Sequence, residues 1–164
     1  MTAAWIVLAL VVAQRLGELV LSHRNEAWLR ARGGVEVGAG HFPLFFLVHG
    51  GWLAALALSI GPDTVVNWWW LAVFVLLQAA RVWILAVLGR YWCTRIITLD
   101  EAPLVTAGPY RWLRHPNYLV VIVEIAVLPL AFSAYGIAIT FSILNALLLS
   151  HRIRVENAAL QARR

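Results

Sequence analysis

Apolar runs of about bilayer-crossing length dominate this sequence, and the short connections between them alternate between arginine-bearing and arginine-free. The runs lie at 5–21, 42–60, 68–88, 119–132 and 134–149. A helix needs about 20 apolar residues to cross the hydrocarbon core, with a range of roughly 17–25. The first three runs meet this directly. The last two meet at Phe132-Ser133-Ala134 and read as a tight helical hairpin, its arms extended to 116–132 and 134–152. Pro116 fits the first turn of a helix, and Pro129 should kink or end the same helix. With 62% of its 164 residues hydrophobic and 13% charged, the chain is too apolar for a soluble domain. The expected fold is an all-α integral membrane protein of about five transmembrane helices. It forms a single domain over 1–164 and leaves no room for a separate soluble catalytic unit.

All 13 basic residues are arginine. The first connection carries Arg24, Arg30 and Arg32, the third Arg90, Arg95, Arg111 and Arg114, and the tail Arg152, Arg154, Arg163 and Arg164. The N-terminus and the second and fourth connections carry none. The positive-inside rule then places the N-terminus outside and the C-terminus in the cytoplasm of a cell membrane. Topology and lipid headgroups account for the net charge of +5, so nucleic acid is not an expected partner. Trp68, Trp69 and Trp70 mark the outer interface, and Trp92 and Trp112 read as anchors at the inner one. Gln14, Arg15 and Glu18 interrupt the first run, which therefore reads as a retained helix rather than a cleaved signal. Cys93 is the single cysteine, and the five histidines lack metal-ligand spacing, so no metal is expected.

Polar residues inside the runs all fall between mid-membrane and the cytoplasmic face. They are Gln14, Arg15, Glu18, His49, Gln78, Arg81, Glu124 and Asn145. A charge at bilayer depth costs at least about 2.5–3.5 kcal/mol, so these groups should face the bundle and pair. Arg15 and Arg81 balance Glu18 and Glu124. The one-sided clustering points to a polar cavity open to the cytoplasm.

Two segments carry candidate chemistry. Gly108-Pro109-Tyr110-Arg111-Trp112-Leu113-Arg114-His115-Pro116-Asn117-Tyr118 turns into helix 4. It sets Arg114 and His115 at a helix N-terminus, which favours carboxylates and phosphates. Arg152-Ile153-Arg154-Val155-Glu156-Asn157 follows helix 5, and the hairpin brings it to the same level. Glu156 can accept from an ammonium or from ribose hydroxyls. Segments 89–118 and 150–164 together could hold a zwitterionic amino-acid cofactor.

These residues resemble the isoprenylcysteine carboxyl methyltransferase family. That family carries Arg-His-Pro-x-Tyr entering one helix, here Arg114 to Tyr118. After the next helix it carries an arginine followed four residues later by paired glutamates, here Arg152 and Glu156, with Asn157 in place of the second glutamate. The likeness is closer to a small bacterial branch that includes alkylpyrone O-methyltransferases. Arg24-Asn25-Glu26, Gly33 to Gly38, His41-Phe42-Pro43, Leu88 to Ile97 and Phe141 to Ala146 carry that likeness. The resemblance implies S-adenosylmethionine bound on the cytoplasmic side and a lipophilic acceptor entering from the bilayer. Carried over residue by residue, the cofactor-binding candidates are Gly108, Tyr110, Arg114, His115, Tyr118, Arg152 and Glu156.

Methyl transfer to an oxygen, that of a carboxylate or of an enol or phenol, is an in-line displacement that needs alignment and exclusion of water, and a carboxylate or acidic enol is already largely ionised near neutral pH. Arg81, aided by His49, is the candidate for orienting an anionic acceptor. Glu124 is the candidate for balancing that arginine or facing the sulfonium. Trp83, Tyr91 and Trp92 are candidates for the acceptor path. N-methylation of a phospholipid amine stays open. So do a small transporter, against which the absence of an inverted repeat argues, and a non-catalytic assembly factor.

Overall fold

The computed structural model describes residues 2–99 and 102–161; Arg163 and Arg164, counted in the basic tail, lie outside the described residues. Five helices run in chain order: α1 (Ala3–Arg30), α2 (Phe42–Ser59), α3 (Trp68–Leu88), α4 (Pro116–Ala131) and α5 (Tyr135–Gln161). The protein is an all-α membrane protein, as the apolar runs imply. Four of its helices are long and apolar enough to cross a bilayer. The fifth, α4, has 16 residues, about 24 Å at 1.5 Å per residue. It is short because it sits inside the bundle, with Val120, Glu124, Ile125, Val127, Leu128, Pro129 and Ala131 all buried.

α3 begins and ends where its apolar run does. Asn67 caps it, its side chain accepting from the Trp69 and Trp70 amides at 3.1 and 3.3 Å. The Asn67 amide donates to the Ala131 carbonyl at 2.8 Å and ties the start of α3 to the end of α4. The α4–α5 hairpin turns at Ser133, which takes a positive φ of 58°. The Ala134 amide there closes on the Pro129 carbonyl at 2.9 Å.

Two helices outrun the expectation. α1 has 28 residues and α5 has 27, about 42 and 40 Å, so each continues well past a hydrocarbon core of about 30 Å. No glycine or proline interrupts Ser22 to Arg30 or Ser150 to Gln161, and the helices propagate into water. Residues 153–161 are therefore helix.

A small antiparallel ribbon pairs β1 (Val35–Glu36) with β2 (Ile97–Thr98). Glu36 takes ion pairs from Arg30 and from Arg95, the latter at 2.6 Å. Asn25 donates to the Trp92 carbonyl at 2.6 Å, and Arg152 donates to the Thr94 carbonyl at 2.5 Å. These contacts gather the first connection, the third connection and the end of α5 at one end of the bundle.

The dry core lies toward the other end, where Leu8, Trp52, Leu56, Phe74, Ile125 and Leu128 pack together. Residues such as Leu47, Leu58 and Leu76 stay exposed on the outside of the helices, as lipid-facing positions do. The bundle is thus solid in one half and opens into cavities in the half that carries the arginines.

Candidate active site

At mid-bundle the polar residues of α1, α3 and α4 form one network. Arg81 donates from Nε to Glu124 Oε1 at 3.0 Å and from Nη2 to Glu124 Oε2. Arg15 Nη2 reaches the same carboxylate at 2.9 Å, and its Nη1 meets Glu18 at 2.8 Å. Gln78 donates to Glu124 at 2.8 Å and accepts from Gln14 at 2.7 Å. Arg81 and Glu124 are 4% and 2% exposed, so their charges survive only because each is paired. Arg81 also approaches Glu18 at 3.5 Å, leaving its guanidinium committed to carboxylates. The cluster has two positive and two negative members and no net charge.

Above the network an apolar cavity of about 260 Å³ opens between α1, α2 and α4. Its wall carries Phe45, His49, Trp52 and Leu53 of α2 together with Arg81 and Glu124. Among the described residues, Trp52 Nε1 and Arg15 Nε are buried polar atoms of this lining with no hydrogen-bond partner.

A second cavity, about 230 Å³, lies at the arginine-rich end, roofed by the 91–99 and 102–105 stretches. Tyr110, Arg114, His115, Tyr118, Arg152 and Glu156 all line it. Their contacts form a chain: Arg152 Nε donates to the Tyr118 hydroxyl at 2.7 Å, and that hydroxyl donates to Glu156. The His115 and Tyr118 rings stack at 5.3 Å. His115 Nε2 bonds Asn157 Oδ1 at 2.9 Å, and its Nδ1 lies 3.6 Å from Glu156. Asn157 thus holds the imidazole while Glu156 faces the cavity. Burial, reinforced by Glu156, pushes the Tyr110 phenol above its ordinary value, so it remains a donor at neutral pH.

Gly108 stands apart from the other candidates. It does not line the cavity. Its φ is +56°, and a Cβ there would lie 2.7 Å from Val87 Cγ2. It turns the chain against α3 and so aims Tyr110 inward.

The two cavities share a wall. Trp92, Cys93, Asn117, Tyr118 and Arg152 line both. Trp92 is 4% exposed and serves as partition rather than as the interface anchor expected of it, whereas Trp112 is 67% exposed. Asn117 Oδ1 in this wall is buried without a partner among the described residues. Of the other aromatic candidates, Tyr91 lines the loop-side cavity, while Trp83 lines neither and is 49% exposed.

Residues 70–162 match the isoprenylcysteine carboxyl methyltransferase (ICMT) family. The chain belongs to this family. The match covers most of α3, the third connection, the hairpin and the segments 108–118 and 152–157. Similar proteins span nearly the whole length. The uncharacterized protein YpbQ of Bacillus subtilis (strain 168) is 40% identical over 161 residues, 96% of each chain. An uncharacterized protein of Haemophilus influenzae (strain ATCC 51907 / DSM 11121 / KW20 / Rd) is 25% identical, covering 94% of this chain and 93% of that one. No solved structure matches. As a member of the isoprenylcysteine carboxyl methyltransferase family, the protein is an integral membrane methyltransferase that acts on a lipophilic substrate. Among the described residues, no group of three or more His, Cys, Asp or Glu is placed to hold a metal ion.

Sequence reasoning missed Asn117, Thr94 and Cys93 as site residues. Asn117 sits inside the Arg-His-Pro-Asn-Tyr motif, so its position alone was a usable signal. Thr94 and Cys93 reach the site only because α1 runs on to Arg30. There Ser22 accepts from the Thr94 amide at 2.9 Å, while Asn25 bonds the carbonyls of Gly89 and Trp92.

Proposed function

We propose that this protein transfers a methyl group from S-adenosylmethionine to an oxygen of a lipophilic acceptor dissolved in the bilayer. The shared wall of Trp92, Cys93, Asn117, Tyr118 and Arg152 carries this reading. It separates a polar cavity on the loop side from an apolar one among the helices. A water-soluble donor and a membrane-soluble acceptor can meet across it without sharing an entrance.

The loop-side residues suit that cofactor. Arg114 makes no ion pair among the described residues and stands at the N-terminus of α4, where a carboxylate is favoured. Glu156 offers an acceptor to an ammonium or to ribose hydroxyls. The unpartnered Asn117 Oδ1 offers a further acceptor beside the partition. Tyr91 and Tyr110 supply aromatic surface for a base. When bound, S-adenosylmethionine supplies a methyl carbon already made electrophilic by positive sulfur.

The chain's own residues then align and shield. Arg152 holds Tyr118, Tyr118 holds Glu156, and Asn157 holds His115, so the pocket is ordered by its own hydrogen bonds. Trp92 and the apolar lining keep water from the reacting atoms. The Arg81–Glu124 pair fixes α3 against α4 and sets a polar floor under the acceptor cavity. Arg81 acts there as a positioning residue, because Glu124 and Glu18 occupy its guanidinium.

Residues 1–164 act as a single domain in this reading. The arginine-rich end, with the cofactor pocket, faces the cytoplasm and the N-terminus faces out. The likeness to the alkylpyrone-methylating branch favours a polyketide-like hydroxyl over a phospholipid amine. Radiolabelled methyl transfer from S-adenosylmethionine to a host lipid extract tests the proposal. Label in an organic-soluble methyl ether, stable to alkali, or methyl ester, released by it, supports transfer to oxygen, and label on a choline-type headgroup replaces it with N-methylation. No transfer by folded protein refutes it.

A further inference from the structure

We infer that His49 is the general base of this site, taking the proton from a neutral hydroxyl acceptor as its oxygen is methylated; this rests on the methyltransferase reading above. His49 lies on α2 and lines the apolar cavity, as do Arg81 and Glu124. Its Nδ1 is 3.0 Å from the Phe45 carbonyl oxygen, one helical turn back. A carbonyl oxygen can only accept, so Nδ1 carries the hydrogen and donates it. The neutral ring is thereby fixed as one tautomer, with its lone pair on Nε2. No partner engages Nε2 among the described residues. Phe45 also stacks on the imidazole at 5.8 Å, holding the ring plane against the cavity wall. The result is an oriented nitrogen base beside the apolar side chains of Phe42, Phe46 and Leu53 in the same cavity.

The charges around it explain why a base is needed. Arg15 and Glu18 of α1, Arg81 of α3, Glu124 of α4, and Tyr118 and Arg152 of the partition face the same cavity. Arg15 and Arg81 are consumed by Glu18 and Glu124, and Arg152 by the Tyr118 hydroxyl and the Thr94 carbonyl. Arg15 and Arg81 balance two carboxylates, so the network carries no net charge that would ionise a hydroxyl acceptor on entry. An acceptor that enters protonated must lose its proton inside. In the step, the acceptor O–H proton moves to His49 Nε2 and the oxygen forms a bond to the methyl carbon. The carbon–sulfur bond breaks, and its electron pair stays on sulfur, which leaves as the neutral thioether. The imidazolium returns its proton to water as the methylated product leaves.

The test uses detergent-purified full-length protein, His49→Ala and His49→Gln, with two probe acceptors. One is a long-chain 4-alkylphenol, protonated at neutral pH; the other is its 2,6-dinitro derivative, ionised there. General bases contribute roughly 100- to 10,000-fold. Both variants are expected to bind S-adenosylmethionine like wild type and to lose at least about 100-fold in kcat on the alkylphenol. They should keep most of the rate on the dinitrophenol. The wild-type rate on the alkylphenol should rise with pH through an imidazole titration, and that limb should vanish in the variants. Equal losses on both acceptors, or no loss on the alkylphenol, overturn the assignment. A wild type that binds no S-adenosylmethionine and methylates neither probe fails at the methyltransferase reading itself, and His49 falls with it.

Discussion

Arg81 and Glu124 meet face to face across α3 and α4, the guanidinium donating from Nε and Nη2 to both carboxylate oxygens in a setting where each residue is under 5% exposed. A paired arrangement of this kind stabilises little by itself, but breaking it strands a buried charge. Arg81→Ala or Glu124→Ala is expected to destabilise the protein by about 3–5 kcal/mol. The double replacement Arg81→Met with Glu124→Leu should recover much of that loss. Thermal unfolding in detergent checks both, and a double variant as weak as the singles would show the pair itself to be strongly stabilising.

At the loop-side cavity the Arg152–Tyr118–Glu156 chain should behave as a unit. Tyr118→Phe removes the central hydroxyl and leaves Arg152 Nε and Glu156 each short of a partner. Hydrogen bonds to charged groups contribute about 1.5–3 kcal/mol, so S-adenosylmethionine affinity should fall roughly 10- to 100-fold. Arg114→Ala should weaken binding and flatten its dependence on salt, because Arg114 is an exposed, unpaired cation. Titration calorimetry at two ionic strengths separates these effects.

Gly108 is required by backbone rather than by ligand contact. Gly108→Ala places a methyl 2.7 Å from Val87 Cγ2 at a φ of +56°. A left-handed backbone costs a side-chain-bearing residue about 1–2 kcal/mol even before that clash. Stability should drop by at least this amount, with weaker cofactor binding as Tyr110 shifts. A variant with wild-type melting and affinity would show the turn to be replaceable.

The reach of sequence reasoning follows from the same physics. α3 was readable to the residue because its hydrophobic run begins at a tryptophan cluster and ends at Gly89. Arg81 and Glu124 were recognisable because charge in a membrane must pair. The extension of α1 to Arg30 was not legible: once a helix leaves lipid it needs no apolar run, and residues 22–30 look like any polar connection. The ribbon of Val35–Glu36 with Ile97–Thr98 was also invisible, since two residues per strand leave no alternation to read. Trp92 was misread for a similar reason. Tryptophan near a membrane boundary usually anchors, but the bonds that Asn25, Ser22 and Arg152 make to this stretch turn it inward.

Cys93 lines both cavities, yet burial, aided by the charge of Glu26, pushes its thiol up to about 12. At pH 8 it is almost wholly protonated and a poor nucleophile. Iodoacetamide at that pH should leave it largely unmodified in the folded protein and label it on unfolding, as read by intact-mass spectrometry. Rapid labelling of folded protein would mean that the partition opens to solvent.

Glu36 is raised by burial but lowered more by its bonds to Arg95 and Arg30, so its carboxyl sits below the ordinary value of 4.5. The stability it adds to the ribbon is fully present above that value and is lost as pH falls through the lowered folded one. Amide exchange across residues 33–37 and 95–98 should accelerate in that acidic range, and Glu36→Gln should show the faster exchange already at neutral pH. Protection unchanged by either would remove Glu36 as the ribbon's clasp.

The most direct measurement is calorimetric binding of S-adenosylmethionine to detergent-purified protein, beside His115→Ala and Glu156→Gln. The expected result is micromolar binding by wild type, lost or sharply weakened in both variants while their thermal unfolding stays close to wild type. Absence of binding to a folded wild type with host lipid present, or equal binding by both variants, would contradict a cofactor pocket at the α4 N-terminus and the end of α5.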